Sequence, residues 1–145
     1  MKTIKNLTFA ALAVTLLFQT PITRADDHGP LSITFEKCWT GDKYEGEVDG
    51  DCGSGTVTFT FVSAPWGTSV LHFTGEYTIE TAECSFKAVC GGILDTRTGH
   101  IVLNGVVTEV TYGQDLGARV QVRAQATDGG ACSHGTMTIT PSELQ

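Results

Sequence analysis

"VLHFTGEYTIE", residues 70–80, decides the fold. Leu71, Phe73, Tyr77 and Ile79 alternate with His72, Thr74, Glu76 and Thr78. A strand sends successive side chains to opposite faces, so this segment has one apolar face and one polar face. The same period recurs on both sides of it. Leu31, Ile33, Phe35 and Trp39 oppose Ser32, Thr34, Glu36 and Cys38, while Val57, Phe59 and Phe61 oppose Thr56, Thr58 and Thr60. Val120, Val122, Ala124 and Ala126 oppose Arg119, Gln121, Arg123 and Gln125, and Met137 and Ile139 oppose Thr136, Thr138 and Thr140. Segments near 44–52, 84–94 and 100–111 bring the count to about eight strands.

Turn chemistry separates the strands: "DCGSG", "APWG", "DTRTG", "YGQDLG" and "TDGG". Asn104-Gly105 would suit a two-residue hairpin. A hairpin there would leave a very short strand before it, so a glycine kink inside one strand is expected. Short connections suit a meander, and an even strand number lets the last strand pair with the first. The expected fold is therefore all-β, an antiparallel up-and-down β-barrel of about eight strands stapled by disulfides. A two-sheet β-sandwich is the alternative.

The chain opens like a secretory signal peptide. Lys2 and Lys5 precede the apolar run "LTFAALAVTLLF", and Thr23-Arg24-Ala25 offers small residues for cleavage. Residues 1–25 are read as this leader and 26–145 as a single domain. The apolar run falls short of the ~20 residues that span a bilayer, so no membrane span is expected and the location is secreted or periplasmic. Without the leader, six basic residues face 16 acids, a net charge of about −10. Such a surface repels nucleic acid and anionic lipid.

Five cysteines in an exported chain point to disulfides. Cys84 and Cys90, on one extended segment, would lie ~20 Å apart, too far for a bond to each other. Cys38 and Cys132 both sit on the polar faces of their strands. If the first and last strands are antiparallel neighbours, the two stand opposite each other, and a Cys38–Cys132 bond closes the barrel. Ser32 then lies opposite roughly Thr140. Cys52 is left to pair with Cys84 or Cys90. Cys90 is the partner expected, and the remaining thiol is buried.

In "YEGEVDGDCGSG", residues 44–55, Glu45, Glu47, Asp49 and Asp51 share one face. Neighbouring carboxylates repel one another. The expected role is a hydrated edge that discourages aggregation. A docking face for a basic protein and a Ca²⁺ site near Asp49-Gly-Asp51 are the alternatives. Same-face residues two apart diverge over ~7 Å, which is wide for one Ca²⁺ cage. No metal site and no cofactor is expected. Each histidine reads as an exposed strand residue.

Polar residues of inward parity are the candidates for a site. Lys37 lies between Phe35 and Trp39, Glu109 shares parity with Ile101, Leu103 and Val107, and Tyr77 points inward. A charge inside a small barrel is costly unless paired. Each also lies near a strand end, where its head could reach water at the rim. Lys37, Trp39, Trp66, Tyr77 and Glu109 are thus expected to line a barrel mouth that takes a small ligand. Phe35, Phe59, Phe61, Phe73 and Phe86 weigh against a cavity, because they could fill an eight-stranded interior.

"GEYTIETAECSFKAVCGGILDTRTGHIVLNGVVTE" (75–109) and "GARVQVRAQATDGGACSHGTMTI" (117–139) give a rhythm of strand, "TG", strand and "G…GA". Across residues 71–139 this resembles small exported bacterial proteins with an allene-oxide-cyclase or dirigent-like eight-stranded barrel. The resemblance implies a calycin-like barrel with an apolar cavity and assigns no residue a role. The cysteines depart from the cyclase pattern.

Three functional readings follow. One is a secreted or periplasmic, non-catalytic binding module for a small apolar molecule in the barrel mouth. The second is an interaction module (inhibitor, adhesin or coat component) whose acidic face meets a basic protein. The third is a cyclase-type enzyme, for which Lys37 or Glu109 would have to supply the titratable group. Nothing in the sequence sets the oligomeric state.

Overall fold

The computed structural model describes residues 29–142; the leader expected over 1–25 lies outside them. Eight strands follow in order: β1 (Leu31–Trp39), β2 (Tyr44–Gly50), β3 (Gly55–Gly67), β4 (Val70–Thr81), β5 (Ser85–Asp95), β6 (His100–Tyr112), β7 (Arg119–Thr127) and β8 (Cys132–Thr140). Each pairs antiparallel with its neighbours, and β1 pairs with β8 to close the barrel. The sandwich alternative is thereby set aside. Among the described residues, no helix is long and apolar enough to cross a membrane.

The inward positions carry the core. Ile33, Phe35, Val57, Phe59, Tyr77, Ile79, Phe86, Leu103, Val122 and Met137 are buried from all sides of the wall. The strand around Asn104-Gly105 is continuous, with Gly105 paired to Cys90. At Gly75 the Phe59 ring packs directly against the β4 backbone. A Cβ there would run into that ring and the Thr60 carbonyl, so only glycine lets Phe59 lie so close.

Two segments differ from the sequence reading. "APWG" does not end β3, which runs on to Gly67 with irregular pairing between Phe61 and Ser63 and between Ser63 and Trp66. β2 is no edge, because it is hydrogen-bonded to β1 on one side and β3 on the other. Its exposed acids Glu45, Glu47 and Asp49 therefore guard no open strand, and Asp51 lies past its end in the turn. A closed barrel removes the edge they were expected to protect.

Cys38 and Cys132 are bonded, with Cα atoms 4.0 Å apart, and Ser32 stands opposite Thr138, two residues short of the Thr140 read from the sequence. The second bond joins Cys52 to Cys84, so the expected Cys52–Cys90 pairing is corrected. Cys52 and Cys84 lie in the β2–β3 and β4–β5 turns, which an up-and-down meander brings to the same end. Their Cα atoms are 5.6 Å apart. Cys90 lies well along β5, opposite Gly75 and Gly105, and is the buried free thiol.

The end that carries Cys52–Cys84 is the base of the barrel. Thr81 ties its turns together there. Its hydroxyl donates to the Cys52 carbonyl (2.6 Å) and accepts from the Cys84 and Glu83 amides (2.9 and 3.1 Å). The Tyr112 hydroxyl donates to the Thr81 carbonyl (2.7 Å). These bonds satisfy backbone groups that burial would otherwise strand. The opposite end, formed by the β1–β2, β3–β4, β5–β6 and β7–β8 connections, is the mouth.

Candidate functional site

The mouth opens into a cavity of about 910 Å³. Phe59, Phe61, Leu71, Phe73, Leu94 and Ile101 form its apolar wall. The phenylalanines do not fill it. Phe35 and Phe86 are buried in the core, whereas Phe59, Phe61 and Phe73 pack edge to face around the upper wall, 5.4–6.1 Å between centroids. The β7–β8 connection arches over one side through Asp128, Gly129 and Gly130, all three with positive φ. Asp tolerates that conformation better than most side chains. The Tyr44 hydroxyl donates to the Gly130 carbonyl (2.9 Å) and the Trp39 amide to the Ala131 carbonyl (2.7 Å). The arch is thus pinned to β1 and β2.

Lys37 lies at the inner end of this cavity, 5% exposed. The Cys38–Cys132 register sets Ser133 opposite it, and Lys37 Nζ donates to Ser133 Oγ at 2.8 Å. Four rings surround the ammonium: Tyr44, Phe59, Phe35 and Tyr77, with Nζ 4.8, 5.1, 5.3 and 5.7 Å from their centroids. Their quadrupoles attract a cation. Lys37 forms no ion pair among the described residues. Burial pushes its pKa down to about 8, because a poorly solvated ammonium gives up its proton more readily. Burial pushes the Tyr77 and Tyr44 phenols up and the Cys90 thiol up to about 12. These three groups therefore stay neutral near pH 7.

Of the five residues expected to line the mouth, three come together there. Lys37 and Tyr77 lie deep in the cavity, and Trp39 stands at the opening, edge-on to Tyr44 at 5.1 Å. Lys37 and Tyr77 are interior residues and do not reach the rim.

The other two lie elsewhere. Trp66 is 64% exposed and stacks on His72 of the outer face, 4.3 Å between centroids. β3 carries the alternation of Val57, Phe59 and Phe61 on through "APWG", so Pro65 falls on the inner face and lines the cavity while Trp66 falls on the outer one. Glu109 is exposed on the outer wall opposite Lys87, toward the base. A bulge between the Lys87–Glu109 and Ala88–Val107 pairs adds one residue and reverses the parity. Val110, opposite Phe86, takes the inward place.

Sequence reasoning passed over Ser133 and the Asp128–Gly130 arch. Ser133 was within reach, because pairing Cys38 with Cys132 already sets it across from Lys37. On the outer wall, Asp51 accepts from the Ser32 amide (2.8 Å) and Asp49 from the Ser54 hydroxyl (3.0 Å). Among the described residues, no group of three or more His, Cys, Asp or Glu side chains is placed to hold a metal ion. Comparison with protein-family models, with characterised proteins and with solved structures finds no significant match.

Proposed function

We propose that the chain is an exported, non-catalytic binding module that holds a small, mostly apolar molecule in the barrel mouth. The observation that carries this reading is the cavity of about 910 Å³ above a filled base. It is walled by Phe, Leu and Ile, with Lys37 and Ser133 together at its inner end and Arg97 and Asp128 at its rim. Ligand sites typically combine an apolar lining with a few convergent polar groups and a volume of ~300–1,000 Å³. The two disulfides suit an oxidising compartment, which supports secretion or export to a periplasm. Kinship with the allene-oxide-cyclase and dirigent-like barrels is part of the same proposal and lends no residue a role.

The cyclase-type alternative loses Glu109, which faces away from the cavity. It keeps only Lys37, and the remaining polar neighbours of that ammonium are a serine and two neutral phenols.

The test is titration with N-phenyl-1-naphthylamine, a neutral probe that fluoresces on entering an apolar site. Saturable binding at one site, weakened by Phe73→Ala, is the expected result. Fluorescence that stays at the level of free probe would overturn the reading.

A further inference from the structure

Resting on that reading, we propose that Lys37 and Ser133 recognise the head group of the ligand, which is an amphipathic monoanion: an apolar body carrying one carboxylate. Lys37 is more than nine-tenths buried and faces the cavity with a single hydrogen-bond partner. An ammonium has three donors, so two remain for a ligand. Ser133 accepts from Lys37 and keeps its own hydroxyl proton. That proton gives a further donor beside the first two, facing the same cavity.

The aromatic cage holds the ammonium in place before any ligand arrives. An anion then meets a fixed charge in a poorly screened site, where attraction is stronger than in water. The apolar wall toward the mouth leaves room for the body of such a molecule, with its head group inward.

The charge count sets the valence. Lys37 is the one cation at the inner end. Arg97 also borders the cavity, but at the rim, where it pairs with Asp95 at 3.3 Å. A second negative charge on the ligand would be buried without a partner, which is strongly unfavourable. The acidic chain, net −7, disfavours multiply charged anions further. A monocarboxylate fits; a phosphate dianion does not.

The groups that face Lys37 from the surrounding elements are Tyr44 on β2, Phe59 on β3, Tyr77 on β4 and Ser133 on β8. Cys90 on β5 is the other titratable group of the interior, and Arg97 and Asp128 stand at the rim. The phenols and the thiol stay neutral through the range in which Lys37 titrates. Preference for an acid therefore fades as Lys37 loses its proton, from about pH 8 upward.

Decanoate and decanol, matched in chain length, should be compared as competitors of bound N-phenyl-1-naphthylamine. Decanoate is expected to compete about 10- to 100-fold more tightly at pH 7, the worth of hydrogen bonds to a charged partner. That advantage should shrink between about pH 7 and pH 10. Lys37→Met should abolish it while the neutral probe still binds, and Ser133→Ala should reduce it.

Equal competition by acid and alcohol, with the probe bound, would overturn this inference and leave the binding module standing. An acid preference untouched in Lys37→Met would also overturn it, placing the charge recognition elsewhere. Failure of the neutral probe to bind at all would defeat the binding module itself, and this inference with it.

Discussion

At the base of the barrel Ile33, Val48, Ile79, Phe86, Met137 and Ile139 close the interior, and the Cys52–Cys84 bond and the Thr81 hydroxyl knit the turns together. At the mouth the same strands carry Tyr44, Phe61, Leu71, Phe73 and Ile101 around open space, with a lysine beneath. The base matches the packed interior of a small barrel. The mouth leaves apolar surface uncovered and keeps a charge that burial penalises. Side chains, and not strand number, make the difference. A layer of branched residues fills the lower half. In the upper half the aromatic rings pack against one another along the wall and leave the middle empty.

The largest expected effect tests the staples, one at each end. Removing Cys38–Cys132, which spans 94 residues, should cost about 4–5 kcal/mol, from the loop-closure entropy returned to the unfolded chain. Removing Cys52–Cys84, which spans 32, should cost about 3–4 kcal/mol by the same reasoning. Denaturant midpoints of the paired alanine variants decide the order. A reversed order would show that strain or packing outweighs loop length.

Single core substitutions should separate the ends next. Ile79→Ala, at the fully buried base, should lose about 2–5 kcal/mol of stability and leave probe affinity unchanged. Phe73→Ala, half-buried at the mouth, should lose less than about 2 kcal/mol, since it opens onto existing space, and should weaken probe binding. Equal losses of stability at both sites would mean that the mouth is packed as tightly as the base.

Lys37→Met should be smaller and opposite in sign. The lysine pKa is near 8 in the folded chain, against 10.5 for an ordinary lysine. Between those values the unfolded chain holds more protons than the folded one, so stability rises with pH there. Below about pH 8 the buried charge costs about 3 kcal/mol, partly offset by the cation–π contacts with the cage. Lys37→Met should therefore gain about 2 kcal/mol at pH 7. The gain should shrink as pH climbs toward about 10, read from thermal midpoints of both proteins. A loss of stability at pH 7 would mean that the aromatic cage outweighs the desolvation of the ammonium.

Much of the fold was legible. Alternation in residues 70–80 and their counterparts marked the strands, and face parity found Cys38–Cys132. The misses have separate causes. Parity counting assumes an unbroken strand, and bulges break the count. One extra residue before Val110 turned Glu109 from an apparent pocket residue into an outer one. Trp66 reads as part of a turn at the mouth, whereas β3 runs on through it and turns it outward beside His72. Cys52–Cys84 was missed because pairing was sought by face along β5. The two turns meet only once the meander brings alternate connections to one end. Lys37 and Tyr77 were found because β1 and β4 run unbroken past them. The cavity itself was not legible, because five phenylalanines of inward parity read equally well as filler and as wall.

The most direct test is amide chemical-shift mapping of the protein titrated with N-phenyl-1-naphthylamine. The account predicts shifts at Lys37, Leu71, Phe73, Leu94 and Ile101, with Ile79, Phe86 and Ile139 at the base unmoved. Shifts gathered instead on the outer wall, around Val62, Trp66 and Ile93, would place binding outside the barrel and contradict it.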